Sequence, residues 1–171
     1  MATTVPMNTI PAHDDQAQEP AQLSLVAWGE QHVGHWAIFV PSEPGAPDGR
    51  LVHIGVRNKS TSCVSVDESP HLLIHNFNVA HSGARRSTTI PNARATRTQV
   101  EDAARYVHAN YTYVLLTTNC QSFALRVLER LNQLYPENVT ASAVLSVRNR
   151  GTASTWIAGI MNRTPLNYAQ G

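Results

Sequence analysis

The order of patterns along the chain predicts an α+β fold, an antiparallel sheet packed against helices. Three observations lead there. The first half of the 171 residues carries segments with the aromatic and β-branched alternation of strands, separated by turn-forming residues. The second half carries two segments whose apolar residues recur at helical spacing. Strands come first and helices afterwards, which favours antiparallel pairing over a parallel sheet built from alternating strands and helices.

The elements follow in order. Residues 1 to about 20 are rich in Thr, Pro, Ala, Gln and Asp and poor in large apolar groups. They bury too little surface to offset ordering entropy, so 1–20 is expected to be a disordered tail and 21–171 a single domain. "QLSLVAWGE" (22–30) and "HWAIFVPS" (35–42) read as strands. "PSEPGAPDG" (41–49) is turn chemistry, and "RLVHIGVR" (50–57) is the strand that returns from it, so the two strands form a hairpin with a longish loop. "HLLIHNFNV" (71–79) is a further strand, and 81–95, "HSGARRSTTIPNARA", reads as loop. "TRTQVEDAARYVHAN" (96–110) is a helix with Val100, Ala103, Ala104 and Val107 on one face, and Thr98 with Glu101 has the spacing of a capping box. A second helix runs from Cys120 to about Tyr135, ending before Pro136, with Phe123, Ala124, Val127, Leu128, Leu131 and Leu134 as its buried stripe. The last 30 or so residues read as one or two short helices.

Bulk properties exclude some function classes. A formal net charge of +1 gives no dominant attraction to nucleic acid or an anionic membrane. The loose basic group Arg85, Arg86, Arg94 and Arg97 reads as a solvated loop. Two cysteines, Cys63 and Cys120, do not make a disulfide framework. No apolar run approaches the roughly 18 residues of a membrane span. The expectation is a soluble, cytoplasmic protein with reduced thiols, no nucleic-acid partner and no integral membrane segment.

The stretch "TTNCQSFALRVLERL" places Cys120 one turn before Phe123 and Ala124, on the inward stripe of the second helix and at its N-terminus. Unpaired amides and the positive end of the helix dipole there favour a thiolate, whereas a small buried packing residue satisfies the same pattern. In the hairpin, His35, Ala37 and Phe39 share one strand face, as do Leu51, His53 and Gly55. If Val40 faces Asp48, His35 lies opposite His53; if Val40 faces Arg50, Ala37 lies opposite His53 and His35 is its diagonal neighbour. In both registers the two imidazoles project from one face within reach of each other. With an inward cysteine, such a pair makes a thiol triad: one imidazole takes the proton and the other holds it in orientation.

"HWAIFV", "LVHIGV" and "NCQSFA", in that order, resemble the H-box and NC-box of the lecithin retinol acyltransferase-like proteins, in the circularly permuted branch of the NlpC-type papain-like superfamily. The lead-in "YTYVLLTTNC" and the amphipathic helix before it are similar too, and the resemblance covers about residues 23 to 135. It implies a permuted papain-like core, Cys120 as nucleophile, His35 as general base, His53 as the supporting histidine, and acyl transfer or hydrolysis through a cysteine thioester. The implied partner is an acyl-bearing small molecule, lipid or carrier-bound substrate, with no cofactor. Ser122 stands where the NC-box usually has histidine, and Val33 where some members have tyrosine.

The backbone N–H of Cys120 is the expected oxyanion donor, with Gln31 a lesser candidate. Alternatives are a thiol peptidase or isopeptidase of the same superfamily, or a non-catalytic interaction module that keeps the fold. A metal centre built from His32, His35, His71, His75 and His81 is disfavoured, because His32 and His35 point to opposite faces of a strand and no further cysteine pair supports zinc. Cys63 has neither a helix start nor a patterned histidine beside it and is read as structural.

Overall fold

In a computed structural model of the chain, residues 19–28, 35–55, 71–81, 86–110 and 120–150 are described. Five strands, β1 (Ala21–Trp28), β2 (His35–Pro41), β3 (Asp48–Gly55), β4 (His71–Asn78) and β5 (Arg86–Ala95), form one antiparallel sheet in the order β4-β3-β2-β1-β5. Helices α1 (Arg97–Ala109) and α2 (Cys120–Leu134) follow, and a third, α3, covers 141–150. The strand-then-helix order thus produces an α+β fold with an antiparallel sheet.

The two faces of the sheet are both apolar, but differently covered. Leu23, Leu25, Trp36, Ile38, Val40, Val52 and Ile54 form one face, and the helices bury it with Val100, Ala103, Ala104, Phe123, Ala124, Val127, Leu128 and Leu131. Each large side chain so buried contributes about 1.5–3 kcal/mol. The expected stripe of α2 is correct except for its last member: Leu134 lies at the helix end and is exposed. On the opposite face Val26, Ala37, Phe39 and Leu51 form a smaller buried cluster with Trp28, Phe77 and Val79 around it.

The hairpin adopts the second of the two registers, with Val40 opposite Arg50 and Ile38 opposite Val52. Gly49 permits it. A Cβ there would fall on the Val40 carbonyl oxygen, 2.7 Å from Pro41 Cα and 2.8 Å from Phe39 Cε2.

Two expectations fail. The segment expected as loop contains a strand, β5, which pairs with β1 along the sheet edge. Its sequence hides this because the pairing is interrupted: the register shifts between Gln22 and Ser24, and Asn92 takes φ 56° in the bulge after Pro91. Pro91 is tolerated in an edge strand at such an irregularity. The Gln22 side-chain amide donates to the Ile90 and Ala93 carbonyls at 2.6 and 2.9 Å, satisfying groups the bulge removes from the ladder. Arg86 and Arg94 therefore belong to a strand and Arg97 to a helix, not to a solvated loop; Arg85 lies outside the described residues.

The capping box of α1 is also displaced by two residues. Thr96, extended at φ −76° and ψ 160°, accepts from the Gln99 amide at 3.1 Å, and Gln99 Oε1 accepts from the Thr96 amide at 2.9 Å. Both threonines have the right partner spacing, but Glu101 is drawn instead to Arg97 and Arg105, each at 2.9 Å. Among the described residues, no helix is long and apolar enough to cross a membrane.

Candidate active site

His35 opens β2, and His53 lies one residue beyond the last β2–β3 pair on the β3 side of the ladder. In the observed register they are diagonal neighbours on the face away from the helices. The rings meet edge to face with centroids 4.7 Å apart, and His35 Nε2 and His53 Nδ1 share a hydrogen bond of 2.7 Å. The register carried onward sets Gly55 across from His35, and a Cβ there would lie 3.6 Å from His53 Nδ1 and 3.2 Å from Leu73 Cδ1.

The pair sits in an aromatic setting. Trp28, opposite His35 on β1, has its ring 5.8 Å from that of His35 and 6.5 Å from that of His53. His75 on β4 presents an edge to His53 at 5.4 Å, and Phe77 stands against both His75 and Trp28. His75 entered the sequence reading only as a possible metal ligand. Its place beside His53 follows from the β3–β4 register, Leu51 opposite His75, which no local pattern announces.

Burial sets the protonation of the pair. Desolvation holds His35 below its ordinary 6.5. His53 is lowered to about 4 by desolvation first, then by the positive charges that His35 and His75 would carry, while a hydrogen bond to the backbone of Ile54 pulls the other way. Both rings are therefore neutral near pH 7, and the 2.7 Å bond joins a donor nitrogen to an acceptor nitrogen.

Cys120 is the first residue of α2, half-buried, with a free thiol. It packs against the core on the helix-covered face, not on the face that carries the imidazoles. The two faces come closest in sequence at Trp36. The sulfur is held by the backbone amide of Trp36, the residue after His35, together with the amides of Gln121 and of Cys120 itself. These three amides favour the thiolate, as the helix start predicts. Desolvation outweighs them and pushes the thiol up from its ordinary value, so the resting group is the neutral thiol.

The structure thus brings His35 and His53 together on one face and leaves Cys120 on the other, where its sulfur meets the amide of Trp36, the residue after His35. Gln31, His32, Val33, Cys63, the lead-in 111–119, the tail 1–18 and the segment 151–171 lie outside the described residues. Of the other histidines in the disfavoured metal reading, His71 and His75 are on β4 and His81 follows it, with His81 Nδ1 bound to Asn78 at 3.0 Å. Among the described residues no cluster of His, Cys, Asp and Glu is arranged to hold a metal ion. No protein-family model matches the chain, and neither a curated protein nor a solved structure is significantly similar to it.

Proposed function

We propose that the chain is a cysteine-dependent acyltransferase or acyl hydrolase on a permuted papain-like core of the lecithin retinol acyltransferase-like kind. One observation carries this reading: His35 is locked to His53 through Nε2 at 2.7 Å, while the residue after it offers its amide to the Cys120 sulfur. Nε2 is engaged, so Nδ1 is the nitrogen left to take the thiol proton, and the transfer requires the start of β2 to turn the ring from its own face toward the sulfur on the helix-covered face. That requires the tautomer with hydrogen on Nε2, donating to His53 Nδ1, and His53 enforces it by accepting there.

The sulfur attacks the acyl carbonyl as its proton passes to His35. The amides of Cys120 and Gln121, at the first turn of α2, are the donors for the oxyanion that forms. Collapse of the tetrahedral intermediate breaks the bond to the leaving group, which takes the proton back from His35 and leaves a thioester on Cys120. Water or an acceptor alcohol or amine then attacks the thioester by the same steps in reverse. His53 never leaves the imidazole it orients.

The test is intact-mass analysis after incubation with p-nitrophenyl acetate, an acyl thioester and a phospholipid, in separate reactions. The proposal expects an acyl adduct on Cys120 from at least one donor, absent in Cys120→Ala and formed about 100-fold more slowly in His35→Ala. Adducts of equal yield in Cys120→Ala would defeat it. One observation, the upward-shifted thiol, favours the second reading, a non-catalytic module that keeps the fold. It expects no adduct from any donor.

A further inference from the structure

The two edges of the sheet differ. The outer edge of β5 is closed by the chain itself: Arg94 N–H donates to the Asn138 carbonyl at 2.8 Å, Thr140 N–H donates to the Asn92 carbonyl at 3.1 Å, and Ala93 bridges to Val139. Pro91, the irregularity at Asn92 and the charges of Arg86 and Arg94 interrupt what is left. Such features keep a sheet edge from pairing with another chain. β4, at the opposite edge, has none of them. Its eight residues, HLLIHNFN, include no proline, no glycine and no Asp, Glu, Lys or Arg, and they pair with β3 in one unbroken register. Among the described residues no strand lies beyond it. We propose that the outer edge of β4 pairs antiparallel with β4 of a second copy of this chain, so that the sheet of one copy runs on into the other. The proposal stands apart from the thiol chemistry at Cys120.

Hydrogen bonds at the end of the ladder show which backbone groups face outward. Val79 N–H donates to the Pro47 carbonyl at 2.9 Å, and Ser42 N–H donates to the Asp48 carbonyl at 2.8 Å. Asp48 thus turns its backbone toward β2, and its opposite number Asn78 belongs to a pair without mutual hydrogen bonds. The alternation carried along the register puts the bonded pairs at Phe77, His75, Leu73 and His71. The N–H and C=O groups of Leu72, Ile74, Asn76 and Asn78 therefore point away from β3, along the outer edge.

Both faces of β4 carry half-buried apolar side chains. Leu72 and Ile74 extend the core on the helix-covered face, and Phe77 extends the smaller cluster on the other. A second β4 laid alongside continues both layers across the junction.

The strand fits itself. With a two-fold axis at Ile74, that residue faces its own copy, Leu72 faces Asn76, Leu73 faces His75 and His71 faces Phe77. The outward groups of Leu72, Ile74 and Asn76 meet those of Asn76, Ile74 and Leu72, so each donor finds an acceptor. No like charges meet and no histidine faces another, whereas an axis at His75 would set its two rings against each other. A charged foreign strand would find no counter-charge on β4. With β5 closed, assembly stops at two copies.

Sedimentation of the whole chain from about 1 to about 500 µM tests the assembly, and residue-resolved amide hydrogen exchange tests its place. The mass is expected to rise toward twice that of the chain. The amides of Leu72, Ile74 and Asn76 should exchange about tenfold more slowly at the highest concentration, and those of Leu73 and His75, already bonded to β3, should change less. Asn76→Pro removes an outward N–H and none bonded to β3, so it should weaken association about tenfold or more. Ile74→Lys should weaken it likewise, and an equimolar mixture of Ile74→Lys and Ile74→Glu should associate about tenfold more tightly than either alone, a gain that damage to the fold does not produce. If a variant unfolds, sedimentation and exchange on the natural chain decide. A chain at monomer mass throughout, or a dimer whose three outward amides exchange no more slowly, overturns the proposal. Mass beyond twice the chain's overturns the closed pair, and a folded mixture no tighter than its components overturns the axis at Ile74.

Discussion

Acid should destabilise this fold through His53 in particular. The folded ring binds its proton at about 4, against 6.5 as the ordinary value taken up on unfolding. Wherever the pH lies between these values the unfolded chain binds more protons, so stability falls as pH falls. The penalty is absent above 6.5, grows below it and is complete under about 4. Going from about pH 7.5 to about pH 5, linkage gives a loss of about 2 kcal/mol, and solvent reaching the half-buried ring trims this to about 1–2 kcal/mol. His35, lowered by burial, contributes in the same direction. Urea unfolding at the two pH values, on the natural chain and on His53→Gln, isolates the effect. The natural chain should lose more, its midpoint falling further than the variant's by on the order of 1 M. If His53→Gln loses as much stability as the natural chain, the lowered protonation of the buried pair is wrong.

Other outcomes follow from single features. Gly49→Ala should cost about 3 kcal/mol in urea unfolding, because its Cβ meets backbone that cannot move without breaking the hairpin; a cost below about 1 kcal/mol would contradict the register. Thr96→Ala should destabilise by about 1 kcal/mol and Thr98→Ala by under about 0.5 kcal/mol, and the reverse order would place the cap where the sequence first suggests it. Iodoacetamide should label Cys120 slowly near pH 7 and faster above about pH 9, since burial raises the thiol; fast labelling at neutral pH would show that the amides win. Nitrogen-15 spectra should show the His35 proton on Nε2, and a proton on Nδ1 would leave no base for the thiol.

What could be seen in advance depended on whether the signal was local. The inward faces of α1 and α2 are legible because each rests on spacing within one helix, as Val100, Ala103 and Val107 illustrate. The histidine pair is legible because strand parity alone puts His35 and His53 on one face, whichever register the hairpin takes. β5 was hidden because its pairing is interrupted and its bulge is patched by Gln22, distant in sequence. The cap of α1 was misplaced because two Thr-x-x-Gln/Glu spacings compete, and the decision rests with arginines that Glu101 meets only in the folded chain. The place of His75 depends on β3–β4 pairing, a contact between segments that carry no shared motif.

The helix start gives Cys120 its amides, but the site also buries it, and burial acts oppositely on His35. Removing water raises the thiol and lowers the imidazole, so each change makes a resting thiolate–imidazolium pair harder to form. On the proposed thiol chemistry, a nucleophile in such a place is held in reserve. In that scheme charge separation between sulfur and ring becomes favourable when the negative charge can leave the sulfur for an acyl oxygen, which the amides of Cys120 and Gln121, now turned to the sulfur, would receive. The proposed scheme then couples proton transfer to attack, and its acid limb would follow His35, whose lowered protonation keeps such a base available below pH 6.5. His53 serves this scheme by staying neutral: a charged neighbour at 2.7 Å would oppose the imidazolium that His35 must become, and a ring protonating at about 4 does not charge in the working range.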